Sequence, residues 1–367
     1  MCYYEAKQTI NDIFYLQKGK KMKQNRVEAV LKNMESLNLS QILITDPLAI
    51  FYLTGRMIKP FERFYALYLN QNGNHKIFIN QLETVPEDLG VEKVRFTDSD
   101  SYMDLVIKTT DHTEPLGIDK NMPARFLLPL IDQKAAAGFV NASLALDQAR
   151  AVKDIQEQEL MRKASHLNDM AMAEITHFFK EGVTETDLAE QLKKIYRDLG
   201  ADGLSFEPHW PDDTRLKPGD CILVDIGCTW EGYCSDMTRT FFYKNVTQHQ
   251  QEVYHTVLKA NEEAEKAVNP GIPLSSLDQI ARGIITDKGY GSAFTHRLGH
   301  FIGLEDHEFG DVSSASADRA VPGNIFSIEP GVYLENDMGV RVEDLVLVTD
   351  HGHEILNHFS KELTVID

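Results

Sequence analysis

The hydrophobic pattern of residues 22–146 switches between helical spacing and short strand-like runs. Apolar residues recur every three or four positions at Val27, Val30, Leu31 and Met34, which predicts a helix. Four apolar runs predict strands, at residues 41–45, 64–69, 76–79 and 116–119. Alternating helices and strands are typical of an α/β domain. No catalytic constellation occurs in these residues, and we expect the smaller domain to serve as a scaffold and for oligomerisation.

From residue 147 the pattern changes to longer helical periods around a hairpin. Four helices are predicted, at residues 154–181, 184–200, 248–268 and 274–289. Gly182 predicts the end of the first helix, and Thr184 with Asp187 forms a capping-box pattern at the start of the second. The order helix, helix, hairpin then occurs again. This repetition predicts an α+β domain over residues 147–367, with pseudo-two-fold αββ repeats.

The hairpin within residues 219–240 carries two aspartates in otherwise apolar strands. If its turn is centred between Trp230 and Glu231, Asp225 and Asp236 are directly opposed on one face. Opposed Cβ atoms in a strand pair lie about 4.5–5.5 Å apart. Two carboxylates at that separation repel each other unless a shared proton or a cation lies between them. The hairpin therefore predicts a cation site.

Later stretches supply further ligand side chains for this cation. The candidates are His296, His300, His307, Glu329 and Glu343. Two Asp, two Glu and one His form an oxygen-rich set that suits Mn²⁺, Co²⁺, Fe²⁺ or Zn²⁺ better than a thiolate zinc site would. Four carboxylates carry more negative charge than one divalent ion requires, which favours two ions bridged by shared carboxylates.

Five motifs give the chain a resemblance to a known family from about Asn25 to the C-terminus. They are Asp-Ile-Gly, Ser-Asp-Met-Thr-Arg-Thr, Gly-His-Phe-Ile-Gly, Glu-Pro-Gly and Arg-Val-Glu-Asp, in family order. The chain resembles the pita-bread metallopeptidases, peptidase family M24, which include Xaa-Pro dipeptidase (prolidase), aminopeptidase P and methionine aminopeptidase. The resemblance implies a C-terminal pita-bread (creatinase/aminopeptidase-like) domain of α+β class, preceded by a smaller α/β creatinase-type domain.

The resemblance also implies a role for each site residue. Metal ligands are expected at Asp225, Asp236, His300, Glu329 and Glu343, with Asp236 and Glu343 as bridges. Thr238 is expected to hydrogen-bond a ligand carboxylate. His307 is expected near the scissile carbonyl and His296 near the C-terminal part of the substrate. Arg341 is expected either to support the ligands or to bind a prolyl carboxylate.

The chemistry implied is hydrolysis by a hydroxide that bridges two divalent ions, with Mn²⁺ preferred and Co²⁺, Zn²⁺ or Fe²⁺ as alternatives. Glu329 is expected to move the proton from the attacking water to the leaving nitrogen. His300 holds one ion, and His307, with His209, is expected to stabilise the oxyanion. Residues 204–213 are shorter than the family pattern, through a deleted loop or, as we prefer, a mobile loop absent from the sequence. His209 is aligned across that gap.

Two substrate classes stay open, together with an inactive alternative. We favour hydrolysis of Xaa-Pro dipeptides, and the second candidate is an aminopeptidase P that acts on longer peptides with proline in second position. A pita-bread peptide-binding module without activity is the remote alternative, since such relatives lack the intact ligand set. By resemblance we also expect a homodimer.

Composition narrows the partners and the location. The formal net charge of −19 disfavours nucleic acid or an anionic membrane as partner. Four cysteines without a CxxC pair, and no apolar run of about 20 residues, favour a reduced, cytoplasmic protein that does not span a membrane. Residues 1–21 fit poorly with the rest of the chain, and we expect a leader that is not native, with translation starting at Met22.

Overall fold

The computed structural model describes residues 21–206 and 211–367. The chain divides into two compact units, Met1–Arg150 and Ala151–Asp367, called here the N-terminal and C-terminal units. The sequence pattern placed this boundary four residues earlier, after residue 146. The prediction of a non-native leader concerns residues that lie, apart from Lys21, outside the described ranges.

The N-terminal unit is a six-stranded mixed sheet with helices, in the strand order β4-β3-β2-β1-β5-β6. Its elements are α1 (Gln24–Ser36), β1 (Gln41–Ile44), α2 (Pro47–Thr54), β2 (Ala66–Asn70), β3 (Lys76–Asn80), β4 (Glu92–Phe96), α3 (Tyr102–Ile107), β5 (Pro115–Ile118), α4 (Ala124–Asp132), β6 (Gly138–Asn141) and α5 (Ser143–Ala151). The predicted helix and all four predicted strands are confirmed within a few residues. An aromatic cluster centred on Phe64 and Phe126, whose rings meet edge to face at 5.2 Å, fills part of the core.

Four long helices of the C-terminal unit follow the periodicity of the sequence. They are α6 (Ile155–Thr176), α7 (Glu185–Leu199), α8 (Gln248–Ala267) and α9 (Leu274–Asp287). The capping box at Thr184 is confirmed, because its side chain accepts from Asp187 N while the Asp187 side chain accepts from Thr184 N. Helix α6 stops at Thr176 instead of continuing to the predicted end at Gly182. The chain turns there and buries Phe179 in the core.

The described strands of the C-terminal unit form four small sheets. They are β7 (Gly203–Leu204), β8 (Cys221–Ile226), β9 (Cys228–Trp230), β10 (Tyr233–Cys234), β11 (Met237–Tyr243), β12 (Gly299–Phe301), β13 (Glu308–Val312), β14 (Ile325–Ile328), β15 (Gly331–Leu334), β16 (Met338–Arg341), β17 (Asp344–Thr349), β18 (Gly352–Ile355) and β19 (Thr364–Ile366). Their orders are β10-β9-β7, β19-β11-β8, β13-β12-β14-β17-β18 and β15-β16. No helix in the described part of the chain is long and apolar enough to cross a membrane.

The predicted register of the aspartate hairpin is wrong, because the turn is centred one residue later than the sequence pattern indicated. Tyr233 pairs with Trp230, so the turn is centred between Glu231 and Gly232, whose φ angles are 46° and 85°. A type I′ hairpin loop has positive φ at both central positions, and a glycine such as Gly232 adopts such an angle at little cost. Asp225 therefore pairs with Thr238, and Asp236 lies two residues before that partner. Such diagonal neighbours are typically about 7–8 Å apart, so the two aspartates are close but not directly opposed.

Candidate metal centre

Three buried side chains of the C-terminal unit converge at a point that could hold a metal ion. One potential ligand atom from each of Asp236, His300 and Glu343 lies within 4.8 Å of the others. Asp236 lies between β10 and β11, His300 within β12, and Glu343 between β16 and β17. The three segments are far apart in sequence, and the packed strands hold their side chains in place.

Two oxygens of this cluster have no hydrogen-bond partner among the described residues. They are Asp236 Oδ1 and Glu343 Oε1, and both side chains are almost fully buried. Leaving a buried polar atom unsatisfied costs about 1–3 kcal/mol, and a charged group costs more. Burial, followed by repulsion from the neighbouring carboxylates, raises the pKa of both groups well above the usual range. Acceptor oxygens aimed into a negative, buried site fit a divalent cation.

Glu329 lies against this cluster, on the side of His300. The Nε2 atom of His300 is 3.5 Å from Asp236 Oδ2 and 3.4 Å from Glu329 Oε1. The other ring nitrogen, Nδ1, lies 3.3 Å from the Phe301 carbonyl oxygen, which leaves Nε2 free to bind an ion. Burial, reinforced by His307, lowers the pKa of His300 to about 3, so that the imidazole is neutral, as a metal ligand must be.

Glu329 is held by Ser327 and has an unusual protonation equilibrium. The Ser327 hydroxyl donates to Glu329 Oε1 at 3.0 Å and accepts from the His300 amide at 3.0 Å. Burial is the main cause that raises the pKa of Glu329 to about 7, and the neighbouring charge of Asp225 adds to it. A carboxyl group that titrates near neutral pH can give and take a proton at physiological pH.

Asp225 is paired with Arg341 at the open side of the site. Arg341 donates from one terminal nitrogen to Asp225 Oδ2 and from the other to the Tyr333 hydroxyl at 3.2 Å. Its Nε donates to Thr238 Oγ1 at 2.9 Å, and Thr238 donates in turn to Glu343 Oε2 at 2.6 Å. Thr238 thus makes the contact with a candidate ligand that its position in the hairpin suggests.

Two further histidines, His296 and His307, line the cavity onto which this cluster opens. His296 Nε2 is 3.0 Å from the Tyr333 hydroxyl, and burial lowers the pKa of His296. The His307 ring centroid is 4.0 Å from that of His300, while the His307 side chain remains 63% exposed. His307 can therefore reach a bound molecule. His209 lies outside the described residues, so its expected role and the short segment around it stay predictions.

Sequence reasoning missed two residues of this site, Asp306 and Tyr333. Asp306 Oδ2 is 3.6 Å from His307 Nε2, and its Oδ1 is buried without a hydrogen-bond partner in the described part of the chain. Burial and the charge of Asp225 raise the pKa of Asp306 to about 6. Its position directly before His307 was the only signal in the sequence. Tyr333 connects His296 with Arg341, a contact that no sequence spacing reveals.

A cavity of about 1200 Å³ opens onto the cluster. The polar part of its lining includes Asp225, His307 and Arg341, and the apolar part includes Ile222 and Val224 of β8. The centre is thus buried at its ligands and open towards a large space.

Comparison with known protein families identifies the family of this chain. Residues 159–350 match the metallopeptidase family M24, and residues 26–152 match the creatinase/prolidase N-terminal domain. The chain belongs to metallopeptidase family M24. The family and the fold class predicted from the sequence are therefore confirmed, and this M24 protein is a metal-dependent peptidase.

Similar proteins span both substrate classes that the sequence left open. An uncharacterized peptidase of Staphylococcus aureus is 33% identical over 359 residues, which cover 92% of this chain and 99% of that protein. The crystal structure of prolidase from Thermococcus sibiricus matches with a TM-score of 0.88 and 29% identity, over 95% of this chain and 100% of that one. The X-Pro aminopeptidase from Thermotoga maritima matches with a TM-score of 0.81 and 27% identity, over 91% and 100%.

Proposed function

We propose that this M24 peptidase hydrolyses the Xaa-Pro bond of proline-containing dipeptides with two divalent metal ions. The observation that carries the proposal is the pair of buried, unsatisfied oxygens of Asp236 and Glu343 beside the free Nε2 of His300. The similarity to prolidase structures supports the choice of bond. A homodimer and a cytoplasmic location remain predictions from the sequence.

Five residues would hold the ions: Asp225, Asp236, His300, Glu329 and Glu343. Asp236 and Glu343, each with one buried oxygen that lacks a donor among the described residues, would be the ligands shared between the ions. An oxygen-rich set with one imidazole suits Mn²⁺, with Co²⁺, Zn²⁺ or Fe²⁺ as alternatives. When bound, divalent ions polarise a carbonyl and lower the pKa of water towards neutrality.

Other steps of the reaction, which are proton transfer, stabilisation of the oxyanion and binding of the substrate carboxylate, are carried out by side chains of the protein. Glu329 accepts the proton of the attacking water and delivers it to the leaving nitrogen. His307 is exposed beside His300 and donates a hydrogen bond to the oxygen on which negative charge develops. His296 and the guanidinium group of Arg341, both in contact with Tyr333, hold the carboxylate of the prolyl residue.

The chemistry of the Xaa-Pro bond explains why such a site suits it. The nitrogen of this bond is a tertiary amide without an N–H group, so an enzyme that needs a backbone donor at that position cannot align the substrate. Binding through the metal ions and the terminal carboxylate needs no such donor.

The deciding experiment compares a Xaa-Pro dipeptide with a Xaa-Pro-Xaa tripeptide. Protein stripped with a chelator is assayed alone and after addition of Mn²⁺, Co²⁺ or Zn²⁺. We expect no hydrolysis without metal and clear hydrolysis of the dipeptide with at least one metal. The absence of dipeptide hydrolysis with all three metals would overturn the proposal.

The second candidate function is that of an Xaa-Pro aminopeptidase, and the cavity favours it. Pockets for small ligands typically measure about 300–1,000 Å³, whereas this cavity has about 1200 Å³. A dipeptide fills only a part of that volume. Tripeptide hydrolysis at a rate equal to or above that of the dipeptide would select this candidate.

A further inference from the structure

One edge of strand β8 has no partner strand among the described residues. The strand order β19-β11-β8 places β8 at the end of its sheet, with β11 paired to one edge only. The adjacent strand β9, by contrast, is covered at its outer edge by β7. Beyond β7, the last backbone bond on this side is donated by the Ser205 amide to the Gly227 carbonyl oxygen at 3.1 Å. Gly227 lies directly after β8.

The hydrogen-bond pattern shows which backbone groups of β8 face this edge. Tyr243 N donates to Asp220 O at 3.0 Å, so Asp220 faces β11. Successive residues of a strand point their backbone groups to opposite edges, so Ile222 and Val224 also face β11. The N–H and C=O groups of Leu223 then point to the free edge. Gly227 follows the same alternation, because its carbonyl oxygen faces away from β11 and accepts from Ser205 N.

The free edge borders the cavity and is apolar. Residues 221–224, Cys-Ile-Leu-Val, are only half-buried and all belong to the lining of the cavity. The other apolar residues of the lining include Phe179, Leu188, Leu192, Leu204, Phe206 and Leu216. Sheet edges are normally protected by charges, prolines or bulges, and none of these interrupts residues 221–224. Such an edge is ready to accept another strand.

The position of this edge indicates its occupant. Strand β8 runs from Cys221 towards Asp225, which is a candidate metal ligand at the mouth of the centre. A chain whose N-terminal residue lies at the metal centre therefore leaves along β8 in the opposite direction. The uncovered edge of five residues is about 17 Å long, whereas a dipeptide reaches only about 7 Å.

We propose that the free edge of β8 binds an extended, apolar peptide as an added antiparallel strand, with the N-terminus at the metal centre. The site then accepts peptides of about five residues in addition to dipeptides. This inference rests on the proposed function for the position of the scissile bond. The backbone bonds to β8 supply affinity, and the apolar walls select the side chains beyond proline.

An N-methyl scan of the substrate tests the strand with the unaltered, metal-loaded protein. The probes are Ala-Pro and the pentapeptide Ala-Pro-Val-Leu-Val, with one amide methylated in turn at positions three, four and five. Only every second N–H of an added strand points to β8. Methylation at alternate positions should therefore lower kcat/KM by about 2- to 10-fold, the equivalent of one backbone hydrogen bond, and leave the intervening position much less affected.

Two variants of Leu223 provide the matching test on the protein. Leu223→Pro removes the amide proton that faces the free edge, and proline is tolerated on edge strands. Leu223→Ala shortens the same side chain and keeps that proton. The ratio of pentapeptide to dipeptide kcat/KM does not depend on the fraction of active protein. We expect Leu223→Pro to lower this ratio several-fold more than Leu223→Ala does.

The outcomes separate the strand from the proposed function. Hydrolysis of Ala-Pro with a uniform or monotonic N-methyl profile, or equal ratios in the two variants, would overturn the strand. If neither peptide is hydrolysed, the proposed function fails, and the same scan is read as binding of a C-terminally labelled pentapeptide by fluorescence polarisation. Alternation in affinity then supports the strand, and its absence overturns it.

Discussion

At the scale of single residues, the unsatisfied oxygens of Asp236 and Glu343 are the strongest sign of a missing positive charge. Buried carboxylates are normally hydrogen-bonded or paired. Each of these two side chains offers one oxygen to the protein interior without a donor from the described residues. Their neighbours are mainly other carboxylates and a neutral imidazole, and the nearby guanidinium group of Arg341 is already paired with Asp225. A divalent ion is the simplest group that satisfies all of them.

The first prediction concerns Glu343→Gln. The amide keeps the size of the side chain and its contact with Thr238, but it is a poor bridging ligand. We expect kcat to fall by more than about 100-fold and the bound metal, measured by elemental analysis, to fall below that of the unaltered protein. Glu335→Gln, at an exposed position of the β15–β16 hairpin, is the control and should change neither. Full metal content in Glu343→Gln would remove it from the ligand set.

The second prediction concerns pH and the metal-free protein. Burial raises the pKa of Glu329 to about 7 from its usual 4.5, and those of Asp236 and Glu343 well above their usual values. From about pH 4.5 to 7 the folded chain thus holds more protons at Glu329 than the unfolded chain does, so the free energy of unfolding decreases as pH rises. Scanning calorimetry in chelator should show Tm falling across this range.

The control for this pH dependence is Glu329→Gln. The amide does not titrate, so the variant should lose part of the fall in Tm, and metal should reduce the fall in the unaltered protein by neutralising the cluster. Equal slopes of Tm against pH for the metal-free protein and for Glu329→Gln would show that the cluster does not raise the pKa of Glu329.

The third prediction concerns His307→Ala. The side chain is exposed next to His300 and contacts no other candidate ligand in the described residues. Removal of a hydrogen-bond donor to a developing oxyanion typically costs about 10²–10³ in kcat. We expect a loss of that size with metal content unchanged. His351→Ala, at an exposed turn, is the matched control. If the metal content of His307→Ala falls together with its activity, His307 is a metal ligand instead.

At the scale of elements, close backbone contacts explain how strands from distant segments bring the ligands together. Gly299 precedes His300 in β12, and a Cβ atom there would lie 1.8 Å from the Ser327 carbonyl oxygen. Ser327 in turn holds Glu329. The absence of a side chain at position 299 therefore allows the segments carrying His300 and Glu329 to pack against each other.

The fourth prediction concerns that contact between β12 and Ser327. Gly299→Ala forces backbone against backbone, which cannot be relieved by a side-chain rotation, so we expect a loss of more than about 3 kcal/mol in the free energy of unfolding. Gly352→Ala, in β18, is the matched control because a Cβ atom there meets nothing within 4 Å. Urea unfolding of both variants measures the difference. Equal stability of the two would show that β12 can move away from Ser327 at little cost.

The elements also show what the sequence could and could not predict. Periodicity identified the helices, because their apolar faces repeat regularly, and the capping box at Thr184 marked the start of α7. The hairpin register was missed, since it depends on which two residues adopt positive φ, and both Glu231–Gly232 and Trp230–Glu231 were compatible with the apolar pattern. Asp306 was missed because an aspartate next to a histidine carries no periodic signal, and only burial distinguishes it.

At the scale of the whole molecule, the candidate ligands all belong to the C-terminal unit but come from five separate places along it. Asp225 lies in β8, His300 in β12 and Glu343 before β17, which are distant in sequence. Ions bound to all of them would join these segments into one cooperative body. The N-terminal unit, whose six-stranded sheet has its own core, contributes none of the five ligands.

The last prediction is that metal protects the two units unequally from hydrogen exchange. A ligand that binds only the folded state at 100 times its Kd adds about 2.7 kcal/mol of stability, and that energy suppresses the openings that expose the ligand-bearing strands. Amides of β8, β12, β14 and β17 should exchange more slowly with Mn²⁺ than with chelator, while those of β1–β6 should change little. The control is Glu343→Gln, in which the same addition of Mn²⁺ should protect neither unit. Equal protection of the two sheets in the unaltered protein would mean that the ions act on the chain as a whole, and the five residues would then not suffice to explain where metal stabilises it.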